Sequence, residues 1–252
     1  MRQLLPEPSP GTALELDLDL DEVYGADARP APPDRPWVLT NMIASVDGAA
    51  SVEGRSGELG GPADKAAFGA IRGVADVILV GAGTVRAEGY GPPRTSAPQQ
   101  ARRQARGQEP FPRIAVVSGR LDLDLTSPLF TASPTRPIVV TSRRPSPEQL
   151  ATVSEVADVV VAGAEKVDLD EALTTLRRSG ANVVLCEGGP SLDGQLLAAG
   201  LLDEVCLTLA PVLVGGSASR IMQGPALDRL EGLTLDRVLE HDAMLLLRYV
   251  RA

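Results

Sequence analysis

Two glycine-rich turns are the places where this sequence could hold a phosphate. The run from Gly81 to Gly89, GAGTVRAEG, follows the apolar stretch ADVILV and opens a helical pattern near Thr84. A strand-to-helix turn of this kind leaves backbone N–H groups unpaired at the positive end of the helix dipole, where an anion can sit. Gly81 and Gly83 are the residues that would let a ligand approach, although a tight turn alone also accounts for them. The full G-x-G-x-x-G spacing and the downstream acid of a Rossmann unit are missing, so that fold is not implied. The second run is Glu187 to Leu192, EGGPSL, again a strand end, a glycine pair (Gly188, Gly189) and a helix start, with Pro190 at an early helical position and Ser191 beside it. Two such turns in one sheet suit a ligand with a diphosphate, and a dinucleotide is the natural candidate. Glu187 stands where ligands of parallel sheets collect; its other reading is a solvated strand-end acid.

These turns need a sheet to hold them. From Trp37 onward, strand-like runs alternate with helical patterns: WVLTNMIAS, PADKAAFGAIRG, ADVILVG, RIAVVS, PIVVTS, a helix near 146–153, DVVVAG, a helix near 168–178, NVVLCEGG and a helix near 190–199. This alternation predicts an α/β fold with a mainly parallel sheet covered by helices. The last three extended runs, DEVCLTLAPVLV, LTLDRVLEHD and AMLLLRYVRA, predict antiparallel strands that finish the sheet. Residues 1–36, with many prolines and a Leu/Asp alternation from Leu14 to Leu20, read as an N-terminal extension draped on a domain at 37–252. Residues 89–112 show no apolar period and read as a long functional loop.

Composition narrows the function further. Lys and Arg total 24 against 33 Asp and Glu, a net charge of −9, which argues against nucleic acid as a partner. No uncharged apolar window reaches membrane-spanning length and the N-terminus has no signal-like apolar core, so the cytoplasm is the expected location. Cys186 and Cys206 lie in apolar runs and read as reduced, buried thiols. With a single His, His241, a metal cluster is not expected, and the turn setting of His241 beside Asp242 gives it no catalytic partner.

A third segment completes a recognisable order. A strand ends in Ser45-Val46-Asp47-Gly48, a glycine-rich loop containing Ser56 follows, and a helix carries Arg72. With the G-x-x-T-V turn, E-G-G-P, and D-E followed by A-P at 210–211, this order over residues 37–252 resembles the C-terminal reductase domain of the riboflavin-biosynthesis deaminase-reductase. The resemblance implies a dihydrofolate-reductase-like fold, NADPH as cofactor, a homodimer, and reduction of the ribosyl group of 5-amino-6-(5-phosphoribosylamino)uracil to ribityl. By motif it implies cofactor contacts at Ile43, Thr84, Glu88 (where the family commonly has Asp), Ser118, Gly189, Pro190, Ser191 and Leu192, and substrate contacts at Ser56, Arg72, Arg94 and Glu187. Arginine can hold a sugar phosphate by paired charged hydrogen bonds, and a carboxylate can accept from the N–H edge of a pyrimidine. Arg94 alternatively faces solvent, because the loop around it departs from the family's D-N-P-x-L-x-x-R pattern.

Proton delivery falls to Glu187, Asp47 or a water, Asp47 having turn chemistry as its other role. NADPH preference would need cations near the adenosine 2′-phosphate, and Ser142, Arg143 and Arg144 are the candidates. The His and Cys ligands of a zinc deaminase are missing from the sequence, so the reductase half alone is expected. Two rival readings stand beside it: a dihydrofolate-reductase-like activity on a pteridine, and an NADP-binding regulatory module without turnover. Loss of aromatic and hydroxyl positions in the loop 57–62 leaves room for a different ring. The apolar run AMLLLRYV is where subunits would meet.

Overall fold

A computed structural model describes residues 1–6 and 18–252. In chain order the elements are β1 (Arg2–Leu5), α1 (Leu20–Gly25), β2 (Trp37–Ser45), α2 (Pro62–Val74), β3 (Val77–Gly81), α3 (Ala82–Glu88), α4 (Ala97–Ala105), β4 (Arg113–Val117), α5 (Pro128–Thr131), β5 (Ile138–Thr141), α6 (Pro147–Val156), β6 (Asp158–Val161), α7 (Leu169–Arg178), β7 (Val183–Cys186), α8 (Pro190–Ala198), β8 (Glu204–Ala210), β9 (Leu233–His241) and β10 (Met244–Arg251). They fall into two compact units, one of Met1–Ala28, Val38–Ile71 and Pro190–Ala252, the other of Arg29–Trp37 and Arg72–Gly189.

The second unit is the parallel one. Its strands run in the order β7-β3-β4-β5-β6, every neighbouring pair parallel. Consecutive residues of β3, β4 and β5 are buried. Burial on both sides of the pleat is what helices on both faces of a parallel sheet produce, and it explains the unbroken Val/Ile/Leu runs. Helix α7 shows how the covering helices are made: Asp168 caps the N–H of Glu171, and Leu169, Ala172, Leu173 and Leu176 form one buried stripe.

The long loop expected over 89–112 is corrected by the structure, because α4 lies inside it. Ser96 and Gln99 form a reciprocal capping box and Pro98 sits in the first turn, so the helix starts on local chemistry rather than on an apolar period. Its anchor is a charge. Arg103 is fully buried; its Nη1 donates to the carbonyls of Gly73 (3.1 Å) and Ala75 (2.6 Å), and its Nε to that of Glu109 (2.8 Å). Arg106 adds a bond to Gly73 at 2.7 Å. These donors satisfy the carbonyls that the C-terminal end of α2 leaves without intrahelical partners.

The first unit holds strands in the order β1-β9-β10-β8-β2, with β8 parallel to β2 and the other pairs antiparallel. The three late extended runs are thus β8, β9 and β10, as their pattern predicts. Arg237 and Arg248 are buried on these strands. Arg237 pairs both Asp27 oxygens at 2.6 and 3.0 Å, while Arg248 pairs Glu204 at 2.9 and 3.1 Å and Asp236 at 2.5 Å. Each buried charge is therefore shared, which is the condition for tolerating it. Asp27, in the segment read as an extension, takes part in this network, and Leu20 opens α1 with Asp19 as its cap. Most of the Leu14–Leu20 alternation lies outside the described residues. Cys186 and Cys206 are buried and not disulfide-bonded.

Helix α8 is seated by two contacts within this unit. Asp193 is buried and accepts a hydrogen bond from Thr40 Oγ1 at 2.8 Å. Gly194 lies so close to residues 223–224 that a Cβ there would stand 2.0 Å from the Gln223 carbonyl oxygen, and Gln223 donates its N–H to Pro190 at 2.8 Å.

Candidate active site

The parallel unit brings the two glycine turns together. Strands β3 and β7 pair with Leu79 opposite Cys186, so the residues that follow them emerge side by side. Glu187 N–H donates to Leu79 at 3.0 Å, and Gly81 N–H donates to the Gly188 carbonyl at 2.8 Å. Gly81 caps α3, Gly83 is exposed in its first turn, and Gly188 has φ +80°, which favours glycine. The peptide between Gly188 and Gly189 is cis. A Cβ on Gly189 would lie 2.8 Å from Thr84 Oγ1, so this hydroxyl already fills the space over the second turn.

Beside these turns sits a cluster of three polar side chains. Arg72 Nε and Nη2 donate to Glu187 Oε1 and Oε2, each at 2.6 Å. Tyr90 donates its hydroxyl to the same carboxylate, and the guanidinium lies 5.6 Å from the Tyr90 ring centre. The Glu187 side chain is 2% exposed, so the solvated strand-end reading does not hold. Burial lowers the Arg72 pKa, but the hydrogen bonds and charge of Glu187 outweigh it and hold the group well above its ordinary value. Burial and the neighbouring Glu187 charge push the Tyr90 phenol well up. Arg72 and Glu187 are both expected to meet substrate; the structure shows that they meet each other. Tyr90 carries no sequence signal beyond following Gly89.

The remaining expected residues are dispersed over both units. Glu88 and Arg94 are exposed on α3 and on the loop after it. Ser118 is buried at the end of β4, its N–H donating to Val140 at 2.9 Å. Beyond β5, Ser142 is buried, Arg144 is exposed, and Arg143 pairs with Glu171 at 3.0 Å. In the other unit, Ile43 is buried on β2, Ser56 is exposed on the loop before α2, and Pro190, Ser191 and Leu192 form the first turn of α8. Asp47 accepts from Ser45 Oγ (2.5 Å) and from the N–H groups of Gly215 (2.7 Å) and Val214 (3.1 Å). The Ser45 hydroxyl and then these amides hold its carboxyl down at about 2. His241 is a neighbour of Asp242 at 3.5 Å in the β9–β10 turn. Among the described residues there is no His, Cys, Asp and Glu group fit to hold a metal, and no helix is long and apolar enough to cross a membrane.

Glycine turns at the carboxyl ends of adjacent parallel strands, beside an oriented arginine–carboxylate pair, stand where ligands of open α/β sheets generally bind. More particularly, the chain belongs to the RibD C-terminal domain family, whose model matches residues 36–244. It is 34% identical over 186 residues to a 2,5-diamino-6-ribosylamino-4(3H)-pyrimidinone 5′-phosphate reductase of Archaeoglobus fulgidus, a match covering 73% of this chain and 84% of that protein. The riboflavin biosynthesis protein RibD of Mycobacterium tuberculosis is 28% identical over 74% of this chain but only 45% of its own length. Among solved structures, a pyrimidine reductase-like protein from Corynebacterium diphtheriae matches 93% of this chain and 99% of its own with a TM-score of 0.81 at 28% identity.

Proposed function

We propose that this protein is a cytoplasmic reductase of riboflavin biosynthesis that converts the ribosyl group of a phosphoribosylamino-pyrimidine to ribityl with NADPH. The observation that carries this reading is the Arg72–Glu187–Tyr90 cluster beside the paired glycine turns, in a chain of this family. A relative 34% identical over 186 residues bears the name of a phosphorylated-pyrimidine reductase, which favours this substrate class over a pteridine and over a module without turnover.

The turns fit a dinucleotide. Gly83 leaves the first turn open to a diphosphate, a Cβ there meeting nothing within 4 Å, while Gly81, Gly188 and Gly189 bring the two turns together, a side chain at Gly189 meeting Thr84. Thr84, Glu88 and Ser118 are further cofactor contacts in that unit. Arg143 and Arg144 meet the adenosine 2′-phosphate and set the preference for NADPH over NADH; Arg143→Ala should narrow the ratio of kcat/KM for the two cofactors. When bound, NADPH supplies hydride from C4 of the nicotinamide.

The chain's own residues position and protonate the substrate. Glu187 and Tyr90 orient the Arg72 guanidinium, which offers its charge to the 5′-phosphate, with Arg94 as a further contact. Asp47, held at about 2, has no proton to give at neutral pH. Glu187, with the Tyr90 phenol on its carboxylate, is the proton-handling group. The working form is a homodimer that covers the exposed leucines at 233 and 235 on β9. The test is NADPH oxidation with the phosphoribosylamino-pyrimidine, its dephosphorylated form and dihydrofolate. Turnover should require the phosphate and collapse in Arg72→Ala; oxidation with dihydrofolate alone would overturn the substrate assignment.

A further inference from the structure

Two roles of the same cluster exclude each other in the observed geometry. Arg72 offers its charge to a phosphate, yet its Nε and Nη2 are already bonded to Glu187 at 2.6 Å each. Glu187 handles a proton, yet Oε1 accepts from Nε, and Oε2 from both Nη2 and the Tyr90 hydroxyl. Donors on both oxygens, one of them a cation, hold the group as a carboxylate. Neither residue can act until the other is released.

The two partners differ in what can reach them and in what holds them. The Arg72 side chain is 22% exposed and that of Glu187 2%, so an anion arriving from solvent meets the guanidinium and not the acid behind it. The backbone at the foot of Arg72 is fixed, because the next three carbonyls, those of Gly73, Val74 and Ala75, accept from Arg106 Nη2 (2.7 Å), Gln108 Nε2 (2.9 Å) and Arg103 Nη1 (2.6 Å). Glu187 is fixed through its own N–H on Leu79 at 3.0 Å. What is left to move is the long arginine side chain. A phosphate monoester is the stronger partner for it, since it carries roughly two negative charges near neutral pH and offers three oxygens to the guanidinium fork.

Resting on the reductase reading above, we propose that the Arg72–Glu187 pair is a latch that the substrate's own 5′-phosphate opens. The phosphate draws the guanidinium off the carboxylate. Glu187 is left buried with the Tyr90 phenol and without its cation, and a carboxylate in that setting takes up a proton from solvent. That proton passes to the ring oxygen of the ribosyl group as the oxygen leaves C1′, which returns Glu187 to the carboxylate; the hydride that then saturates C1′ comes from the reduced nicotinamide. A ligand without the phosphate leaves the latch shut. The phosphate therefore raises kcat and not affinity alone, as a remote group does when its binding energy assembles the reacting state.

The test follows binding of the phosphoribosylamino-pyrimidine and of its dephosphorylated form by calorimetry without cofactor. Buffers of different ionisation enthalpy at about pH 7, where a phosphate monoester is mostly the dianion, report the protons exchanged. Wild type should take up about one proton with the phosphorylated form and none with the other, and Glu187→Gln should take up none with either. In turnover with NADPH, the dephosphorylated form should lose about 100-fold or more in kcat, the scale of one general acid. Added inorganic phosphate should restore part of that loss in wild type and none of it in Arg72→Ala. If wild type binds the phosphorylated form without taking up a proton, and the phosphate changes KM alone, the latch falls and the reductase reading stands. If neither form is bound or reduced, the reductase reading falls and the latch with it.

Discussion

Arg72 lays its guanidinium along the carboxylate of Glu187, two parallel bonds of 2.6 Å between residues 115 positions apart in the chain. The pair ties α2 to the end of β7, and with it the arginine proposed for phosphate to the turn proposed for the dinucleotide. Because the Glu187 side chain is 2% exposed, removing Arg72 leaves a carboxylate that water barely reaches, and removing Glu187 leaves a largely buried guanidinium, 22% exposed, without its partner. Glu187→Gln is expected to cost about 3 kcal/mol in denaturant unfolding. The combined Glu187→Gln, Arg72→Gln protein should lose clearly less than the two single losses added, as coupled neighbours do. Additive losses would mean that the bond does not hold the fold.

Arg103 is the second charge on which the site depends. It closes the C-terminal end of α2, the helix that carries Arg72. Arg103→Ala should destabilise by about 2–4 kcal/mol, since buried carbonyls lose charged donors and a cavity is left. Arg103→Lys should recover little, because an ammonium cannot reach three carbonyls as the guanidinium fork does. Thermal unfolding of the two variants checks this.

Gly194 is set against the backbone of Gln223 with no room for a methyl group. Gly194→Ala should cost about 3 kcal/mol by overpacking and shift the first turn of α8, Pro190 to Leu192. Unfolding and NADPH titration together read both effects; an alanine tolerated in both would show that residues 223–224 yield freely.

Two carboxyls should push the pH dependence of stability in opposite directions. Asp47 is lowered from 3.8 to about 2 in the fold, so its contribution is complete above pH 4 and disappears as pH falls toward 2. Asp47→Asn should be less stable than wild type at neutral pH and should close the gap across that window. Asp64, in the first turn of α2, is raised in the fold by burial, so wild type loses stability as pH climbs above 3.8, where the unfolded chain gives up this proton more readily. Asp64→Asn should therefore equal wild type in strong acid and exceed it at neutral pH. Unfolding free energies at a series of pH values measure both signs.

The parallel core was legible because burial on both faces writes itself as unbroken apolar runs, and the glycine turns because each directly follows one of those runs. Helix α4 was not legible, since its buried anchor is Arg103 and its start is the Ser96–Gln99 capping box rather than an apolar stripe. The site was legible as residue types but not as contacts. Arg72 and Glu187 each read as ligand-binding groups, while their pairing depends on the register of β3 against β7 and on the end of α2. Tyr90 gave no signal of its own, since it only follows a glycine. Its place on the Glu187 carboxylate is a property of the fold.

The most direct measurement is the product itself. The protein is incubated with NADPH deuterated at C4 and with the phosphoribosylamino-pyrimidine, and the pyrimidine product is weighed by mass spectrometry. A ribityl product carrying deuterium at the former anomeric carbon, formed by wild type and lost in Arg72→Ala, is the expected result. Unchanged ribosyl substrate with undiminished cofactor in the wild type would contradict the proposed reaction.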